Sequence, residues 1–580
     1  RQQLLRDMHL SVASILSGLP FLQVSHFNGD AGSTTYSLSG FGATANQNTA
    51  VTLDGQRWLG PAMDIPSFAQ WNLHNLAKIT VEPGSQAVVQ GGGAVGGVIN
   101  LRTLSAADRQ SWLDVGGGAF GSRHAALQWV RKNKAGGFYL NGGYNESDGF
   151  RQHNHSIVTR LATGMSGQHQ NTRWRWDFSH DEAKVDFPGA LSAAQVQQNP
   201  RQAQNDRDYN RRHADELRFS WGRRQSTHWD YQLKSRLLTQ RDDGILISPY
   251  KDSGDYVSVD PSVNMSFSRL HAMMGVDYHS GFYRFDNATL HSSVKQSEFG
   301  LYNQNRWRVG PWSVVFGGRY GYLDGRLNQE NPLTYSDQAL INDIGLQYHM
   351  ARAGSVTFRR AESYRFPTAD EMGWTDQHVH LKPQEGVDYR VIYAVRRALW
   401  QVGFQAYNLV LHNEITYLPF VGSQQYGYNT NLSQTRRRGV SGWLKWMGRP
   451  WGWMLGVDYV DPSIIAGDNR GKEIPFVSHW HVTAAANFVL SQRWSLHANL
   501  SYLTQRFVIG DTSNLGPEMG DQMTSDVGLT YCHRRWRWSV MMNNVFNQHR
   551  NSYAVMQLNH QIYYYPAPGR SLFMSLFVKL

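Results

Sequence analysis

Cysteine is almost absent: Cys532 is the only one in 580 residues, so no disulfide can form within the chain and cysteine-based zinc or iron–sulfur sites are excluded. No run of about eighteen apolar residues occurs, which excludes a transmembrane helix. The formal net charge is +11, yet the basic residues are spread singly along aromatic-rich segments and form no basic blocks, which argues against a nucleic-acid partner. Also missing are a Gly-x-Ser-x-Gly elbow, a His-Glu-x-x-His zinc motif, a phosphate-binding loop and a nucleophile–base pair at a recognisable spacing. The expectation is a binding role without enzyme chemistry or a cofactor. No signal peptide opens the chain, and Arg1 leads directly into a helix-like stretch, Leu4 to Leu19, as expected of a processed or trimmed form.

Aromatic residues and glycine are abundant: 20 Trp, 28 Tyr, 25 Phe and 55 Gly, with a mean hydropathy of −0.50. A membrane-spanning β-barrel reconciles these values. Each strand alternates a lipid-facing residue with a polar lumen-facing one, so the average hides the apolar band, while aromatic girdles sit at the two interfaces. Period-two alternation is plain in Phe138, Leu140 and Tyr144 against Asn141 and Asn145, and in Trp174, Trp176 and Phe178 against Arg175, Asp177 and Ser179. It recurs in Trp312, Val314, Phe316, Tyr320 and Tyr322 against Ser313 and Arg319, and the chain ends inside such a segment, Leu572 to Leu580. A soluble β-sandwich or propeller also alternates, but it has no need of so many Trp and Tyr at strand ends.

The first hundred residues follow another pattern. A helix-like opening, a Gly18-Leu-Pro20 turn and short apolar strands at Thr49 to Leu53 and Lys78 to Val81 suggest a small α+β domain. From about Ser105 a series of hairpins takes over, each closed by Gly, Asn, Asp or Pro. The expected division is 1–104 and 105–580.

Five blocks in the first region occur in an order that resembles the plug of TonB-dependent outer-membrane receptors. They are Ser17-Gly-Leu-Pro-Phe-Leu-Gln-Val24; Leu38-Ser-Gly-Phe-Gly42, with Ser39 where the family usually has arginine; Thr52-Leu-Asp-Gly-Gln-Arg57; Ile79-Thr-Val-Glu-Pro-Gly84; and Gly93-Ala-Val-Gly-Gly-Val-Ile-Asn100. Asp54-Gly55 is a two-residue hairpin signal, and the glycines Gly93, Gly96 and Gly97 allow close packing before Asn100. In the second region Ser147-Asp-Gly-Phe-Arg151, Phe187-Pro-Gly-Ala-Leu191, Thr435-Arg-Arg-Arg-Gly-Val440, Asn543-Asn-Val-Phe-Asn547 and Tyr565-Pro-Ala-Pro-Gly-Arg570 resemble barrel blocks of the same family. Two departures stand out: no TonB box is visible before Arg1, and the chain ends in Leu580 where the family usually has an aromatic residue.

The resemblance implies an all-β transmembrane barrel of about 22 antiparallel strands with an N-terminal α+β plug domain in its lumen. It also implies an outer-membrane location and TonB-dependent active transport of a scarce nutrient. The implied partners are TonB with its inner-membrane energising complex, outer-membrane lipid and lipopolysaccharide, and a small iron-containing ligand. A monomer is expected, since a closed barrel has no free edge. A ferric siderophore or other iron chelate ranks first as ligand, because Arg, Tyr and Trp suit an anionic chelate. Haem ranks second and cobalamin third, the latter resting on calcium held by Asp242, Asp243 and Asp255; a passive porin is the alternative outside this class.

Vestibule residues are expected in the plug apices, Gln23 to Tyr36 and Trp58 to Asp64, giving the candidates His26, Tyr36, Arg57 and Trp58. On the barrel side the candidates are Tyr364 and Arg365, in a block that resembles the family's Phe-Arg-x-Pro, and His378 and His380. The two histidines read first as ordinary loop or lumen residues. Were that segment extended, both rings would share one face and could ligate haem iron or another metal.

Overall fold

The computed structural model describes residues 12–26, 34–60, 62–63, 73–246, 248–350, 354–375, 379–418, 427–557 and 561–580. From Trp112 onward, 22 antiparallel strands close into a barrel, the last strand, Ser571–Lys579, pairing with the first, Trp112–Gly118. Alternation decides which way each side chain points. Leu140, Trp176, Phe178, Phe316, Tyr322 and Met574 are exposed on the outer wall, whereas Asn141, Asp177, Ser179 and Arg319 are buried toward the lumen. Exposed apolar side chains beside buried charges invert the pattern of a soluble protein, as a lipid solvent outside and a filled lumen inside require.

Connections between strands differ at the two ends. At one end they are tight turns such as 170–171, 310–311 and 534–535; at the other they include 148–155, 187–208, 366–383 and 544–570. In outer-membrane barrels short turns face the periplasm and long loops face outward. Every tryptophan in the barrel strands except Trp480 lies close to a short-turn end, including Trp229, Trp312, Trp400, Trp451, Trp494 and Trp536 as the first residues of their strands. Those that face outward form the aromatic girdle at the periplasmic interface, while Trp112 and Trp443 turn inward against His74 and Phe21 of the plug.

The plug fills the lumen. A short helix, Val12–Ser17, leads into hairpin β1 (Leu22–His26) and β2 (Thr34–Leu38). A four-stranded sheet follows: β3 (Thr49–Leu53), β4 (Gln56–Arg57), β5 (Leu76–Pro83) and β6 (Gly97–Thr103), in the order β4-β3-β6-β5. The β3–β4 hairpin turns at Asp54 and Gly55, with φ of 54° and 77°, the left-handed pair that Asp-Gly supplies. Val12, Leu16, Leu22, Tyr36, Leu38, Val51, Trp58, Ile99 and Leu101 form the plug core. A second apolar cluster joins Ala87 and Val88 of the plug to Leu323, Tyr364 and Ile415 of the wall and Met372 of the long connection 366–383. Of the helix-like opening expected from Leu4 to Leu19, Val12–Ser17 is helical and the part before Val12 lies outside the described residues.

Long loops pack on one another above the barrel. Leu191–Ser192 pairs with Ile562–Pro566, which pairs with Asn551–Met556. Two separate sequence blocks, Phe187 to Leu191 and Tyr565 to Arg570, are thereby stitched together.

Candidate functional site

Under the long loops a narrow cleft opens between plug and wall. The plug contributes Asn46, Gln47, Arg57, Leu59, Met63, Gly92 and Gly93, and the wall contributes Gln296, Glu298 and the run Arg365 to Thr368. Two strands bring the wall groups here: His291–Val309 descends from the loop side and Gly354–Arg365 ends at it.

The charges at this cavity are arranged, not merely present. Arg57 Nη1 lies 3.0 Å from Glu298 Oε2. Tyr364 donates its hydroxyl hydrogen to Glu298 Oε1 at 3.1 Å and accepts from Arg319 Nε at 2.8 Å. Arg319 in turn grips Asp277 at 2.6 and 2.8 Å. Burial works against the Arg57 charge, but Glu298 and the neighbouring acidic groups outweigh it and hold the guanidinium above its ordinary pKa. Arg365 is clamped by Glu371 at 2.7 and 2.9 Å and donates to the Ile415 carbonyl. Its Nε and the Gln296 Oε1 are buried without a protein partner, so polar valence is left over beside the cavity.

Plug and wall are tied at many other points. Asp54 accepts from Arg218 at 3.2 Å and lies 3.5 Å from Arg175; Gly55 O accepts from Lys234 at 2.9 Å; Gln56 donates to Ser258 at 2.7 Å. Burial pushes the Asp54 carboxyl up, but Arg175 and Arg218 outweigh it and hold it below the ordinary aspartate value. Around Ser39 two arginines of the wall reach the plug. Arg390 donates to Ser39 Oγ at 3.3 Å, and Arg437 donates to Gly40 O at 2.7 Å while holding Glu414 at 2.6 and 3.0 Å. In the glycine block backbone meets backbone closely. Gly93 N donates to Tyr364 O at 3.2 Å, Gly96 N to Asn48 O at 2.8 Å, Gly97 opens β6, and Asn100 sits opposite Thr52 and Thr80 within the sheet.

The vestibule candidates are distributed unevenly. Arg57 and Arg365 line the cavity, and Tyr364 lies directly behind it, fully buried. Tyr36 and Trp58 do not line it: each is 2% exposed within the plug core, because β2 and the end of β4 turn these rings inward. His26 is half-buried with Nδ1 3.1 Å from Thr34 Oγ1. His380 holds Asp337 at 2.8 Å against the Tyr335 ring, in a stretch that is not a strand; His378 and Asp64 lie outside the described residues. Nor do the three aspartates converge. Asp242 is buried toward the lumen with Arg212, while Asp243 is half-buried and Asp255 exposed, pairing with Arg211 and Arg241; among the described residues no group of three or more metal-ligating side chains comes together. The residues that sequence reasoning missed, Asn46, Gln47, Gln296 and Glu298, carry no motif of their own. Glu298 was legible only as a polar position in an alternating strand.

Comparison with known proteins agrees with this architecture. A plug-domain model, "TonB-dependent Receptor Plug Domain", matches residues 1–98, and "TonB dependent receptor-like, beta-barrel" matches residues 133–545. A search of curated proteins finds no match. Among solved structures, the ferric citrate transporter FecA in its unliganded form superimposes with a TM-score of 0.84 at 14% identity, covering 100% of this chain and 96% of that one. The ferric-catecholate import receptor Fiu from E. coli K12 gives 0.83 at 12%, covering 100% and 96%. The ferric yersiniabactin uptake receptor FyuA from Yersinia pestis gives 0.80 at 16%, covering 99% and 96%. At such identities the superpositions establish the fold alone; the family rests on the barrel model, which spans more than half of the chain. With its plugged 22-strand barrel, this chain belongs to the TonB-dependent receptor family, outer-membrane transporters and not enzymes.

Proposed function

We propose that this protein takes up a ferric siderophore or another iron chelate across the outer membrane, as a monomer embedded in lipid and lipopolysaccharide and energised by TonB with its inner-membrane complex. The observation that carries the reading is the cavity between plug and wall, where Arg57 and Arg365 meet Gln296 and Glu298 beneath the loops. Cationic and hydrogen-bonding side chains suit an oxygen-rich, anionic chelate, and the receptors that share the fold include ones described as ferric-catecholate, ferric citrate and ferric yersiniabactin receptors. Movement of the plug is the only chemistry required of the chain: the ion pairs and hydrogen bonds linking it to the wall break as it shifts, and no covalent bond changes.

The test is binding of the purified protein to a panel of ferric siderophores, haem and cobalamin, then uptake in cells with and without TonB. Tight binding of one ferric chelate with TonB-dependent uptake supports the reading. Selective uptake of haem or cobalamin replaces the ligand and keeps the mechanism. Open-channel conductance without selective binding would make the protein a passive pore.

A further inference from the structure

We infer that a chamber at the periplasmic mouth of the lumen is a second binding site for an anionic ferric chelate, its last stop before release; this rests on the cargo being an iron chelate that carries negative charge. The chamber has a volume of about 800 Å³, ordinary for a small-molecule site. The plug bounds it with Ile15, the turn at Gly18 and Leu19, and β5, and the wall bounds it with the periplasmic ends of strands Tyr428–Trp446, Trp451–Ala466, Trp480–Val489 and Trp494–Leu503.

Alternation explains why the space exists. Trp451, Leu455, Trp494 and Leu496 are exposed on the outer face, so the positions between them face the lumen. Several of these are short: Gly452, Ala485 and Ser495 line the chamber. The nearest atoms to a Cβ on Gly452 would all be wall carbonyl oxygens, at 3.6 to 4.0 Å, and none would belong to the plug. Across the lumen long side chains reach the plug instead, Arg175 and Arg218 meeting Asp54.

On the loop side the chamber is shut. A Cβ on Gly456 would collide with the Pro20 ring, Phe21 N donates to Asp458 Oδ2 at 2.6 Å, and the Phe21 ring packs against Trp443 at 5.5 Å. Phe21 makes these contacts with φ of 59°, a left-handed conformation that is costly for a bulky residue. The seal is therefore a strained point of the plug, and it parts when the plug shifts.

The charge of the lining selects the occupant. Lys78 of the plug, Lys445 of the wall, and Arg449 and Arg493 of the two periplasmic turns all line the chamber, and among the described residues no Asp or Glu does. Cations around one space with no carboxylate among them concentrate an anion there, and ammonium and guanidinium groups donate to chelate oxygens. A neutral cargo gains nothing from such a lining.

The chain's one thiol reports on the chamber, since Cys532 is exposed and lines it. The experiment follows maleimide alkylation of Cys532 in the full chain in phosphatidylcholine nanodiscs, with a ferric tris-catecholate as the anionic probe and a neutral ferric trihydroxamate as its control. The anionic probe should slow alkylation several-fold and the neutral one should not. Lys78→Gln with Arg493→Gln should remove most of that protection, whereas Arg131→Gln, at the periplasmic end of the outer face, should keep it. Equal protection by both probes, or protection that survives the double variant, would overturn the inference. So would protection by added phosphatidylglycerol with nothing further from the chelate, which would assign the cations to inner-leaflet headgroups. If the double variant fails to assemble, the comparison of the two probes on the wild-type protein still decides. Uptake is measured separately in cells: TonB-dependent uptake of an anionic ferric chelate with Cys532 unprotected sinks this inference alone, whereas no uptake of any ferric chelate sinks the functional reading on which it rests.

Discussion

Arg57 of the plug and Glu298 of the barrel wall meet at 3.0 Å although 241 residues separate them in sequence. Glu298 is 3% exposed, so removing its partner strands a buried charge. Arg57→Ala should cost about 3–5 kcal/mol where the pair is fully desolvated. It should lower the thermal midpoint of the plug and make cells more permeable to large antibiotics. Unchanged melting and permeability would mean that water replaces the arginine at no cost.

Acid should loosen the same domain at its periplasmic end. The folded-state pKa of Asp54 is depressed by Arg175 and Arg218. Its stabilising contribution is therefore complete above the ordinary aspartate value, about 3.9, and is lost as pH falls through the lower folded value. Wild-type melting temperature should fall more steeply below about pH 4 than that of Asp54→Asn, and the two curves should run parallel from about pH 5 to 8. Parallel curves at every pH would remove Asp54 from the account.

Gly96 is indispensable for steric reasons. A Cβ there would lie 2.6 Å from Leu38 O and 2.7 Å from the Phe41 ring, contacts that cannot be relieved by a rotamer change. Gly96→Ala should destabilise the plug by about 1–3 kcal/mol. Gly142→Ala, which meets nothing within 4 Å on the outer wall, should stay within about 0.5 kcal/mol. Heat-modifiable electrophoretic mobility and denaturant melting of the two variants make the comparison.

Arg151 pins the loop canopy. It donates to the carbonyls of Gly189 and Gln202, the latter at 2.9 Å, and burial lowers its pKa to about 10, leaving it charged at neutral pH. Lysine cannot reproduce this planar fork. Arg151→Lys should speed proteolysis of loop 187–208 several-fold and weaken chelate binding, with the barrel's β-sheet circular dichroism unchanged.

The barrel was legible because alternation is local: Trp176 and Phe178 against Asp177 and Ser179 settle a strand's two faces from a few neighbouring residues. Asp54-Gly55 was equally readable, since its turn type is fixed by two residues. Arg57 and Arg365 could be singled out from their blocks, but the cavity they share needed Gln296 and Glu298, brought in by register across the closed sheet. No pattern within one strand contains that information. Tyr36 and Trp58 went to the core because aromatic rings near a plug apex serve packing as readily as ligand contact. The reading of Ser39 as a departure from the pattern left out that its hydroxyl would meet an arginine of the wall, Arg390.

The one-sided distribution of tryptophan gives the molecule a built-in optical depth gauge. With the strand tryptophans gathered at the periplasmic interface and Trp480 the exception, its intrinsic emission reports chiefly on the inner leaflet. Brominated acyl chains should quench it strongly when confined to that leaflet and weakly when confined to the outer one. Events among the extracellular loops will pass largely unseen by fluorescence, and a chelate's arrival must be followed by another signal.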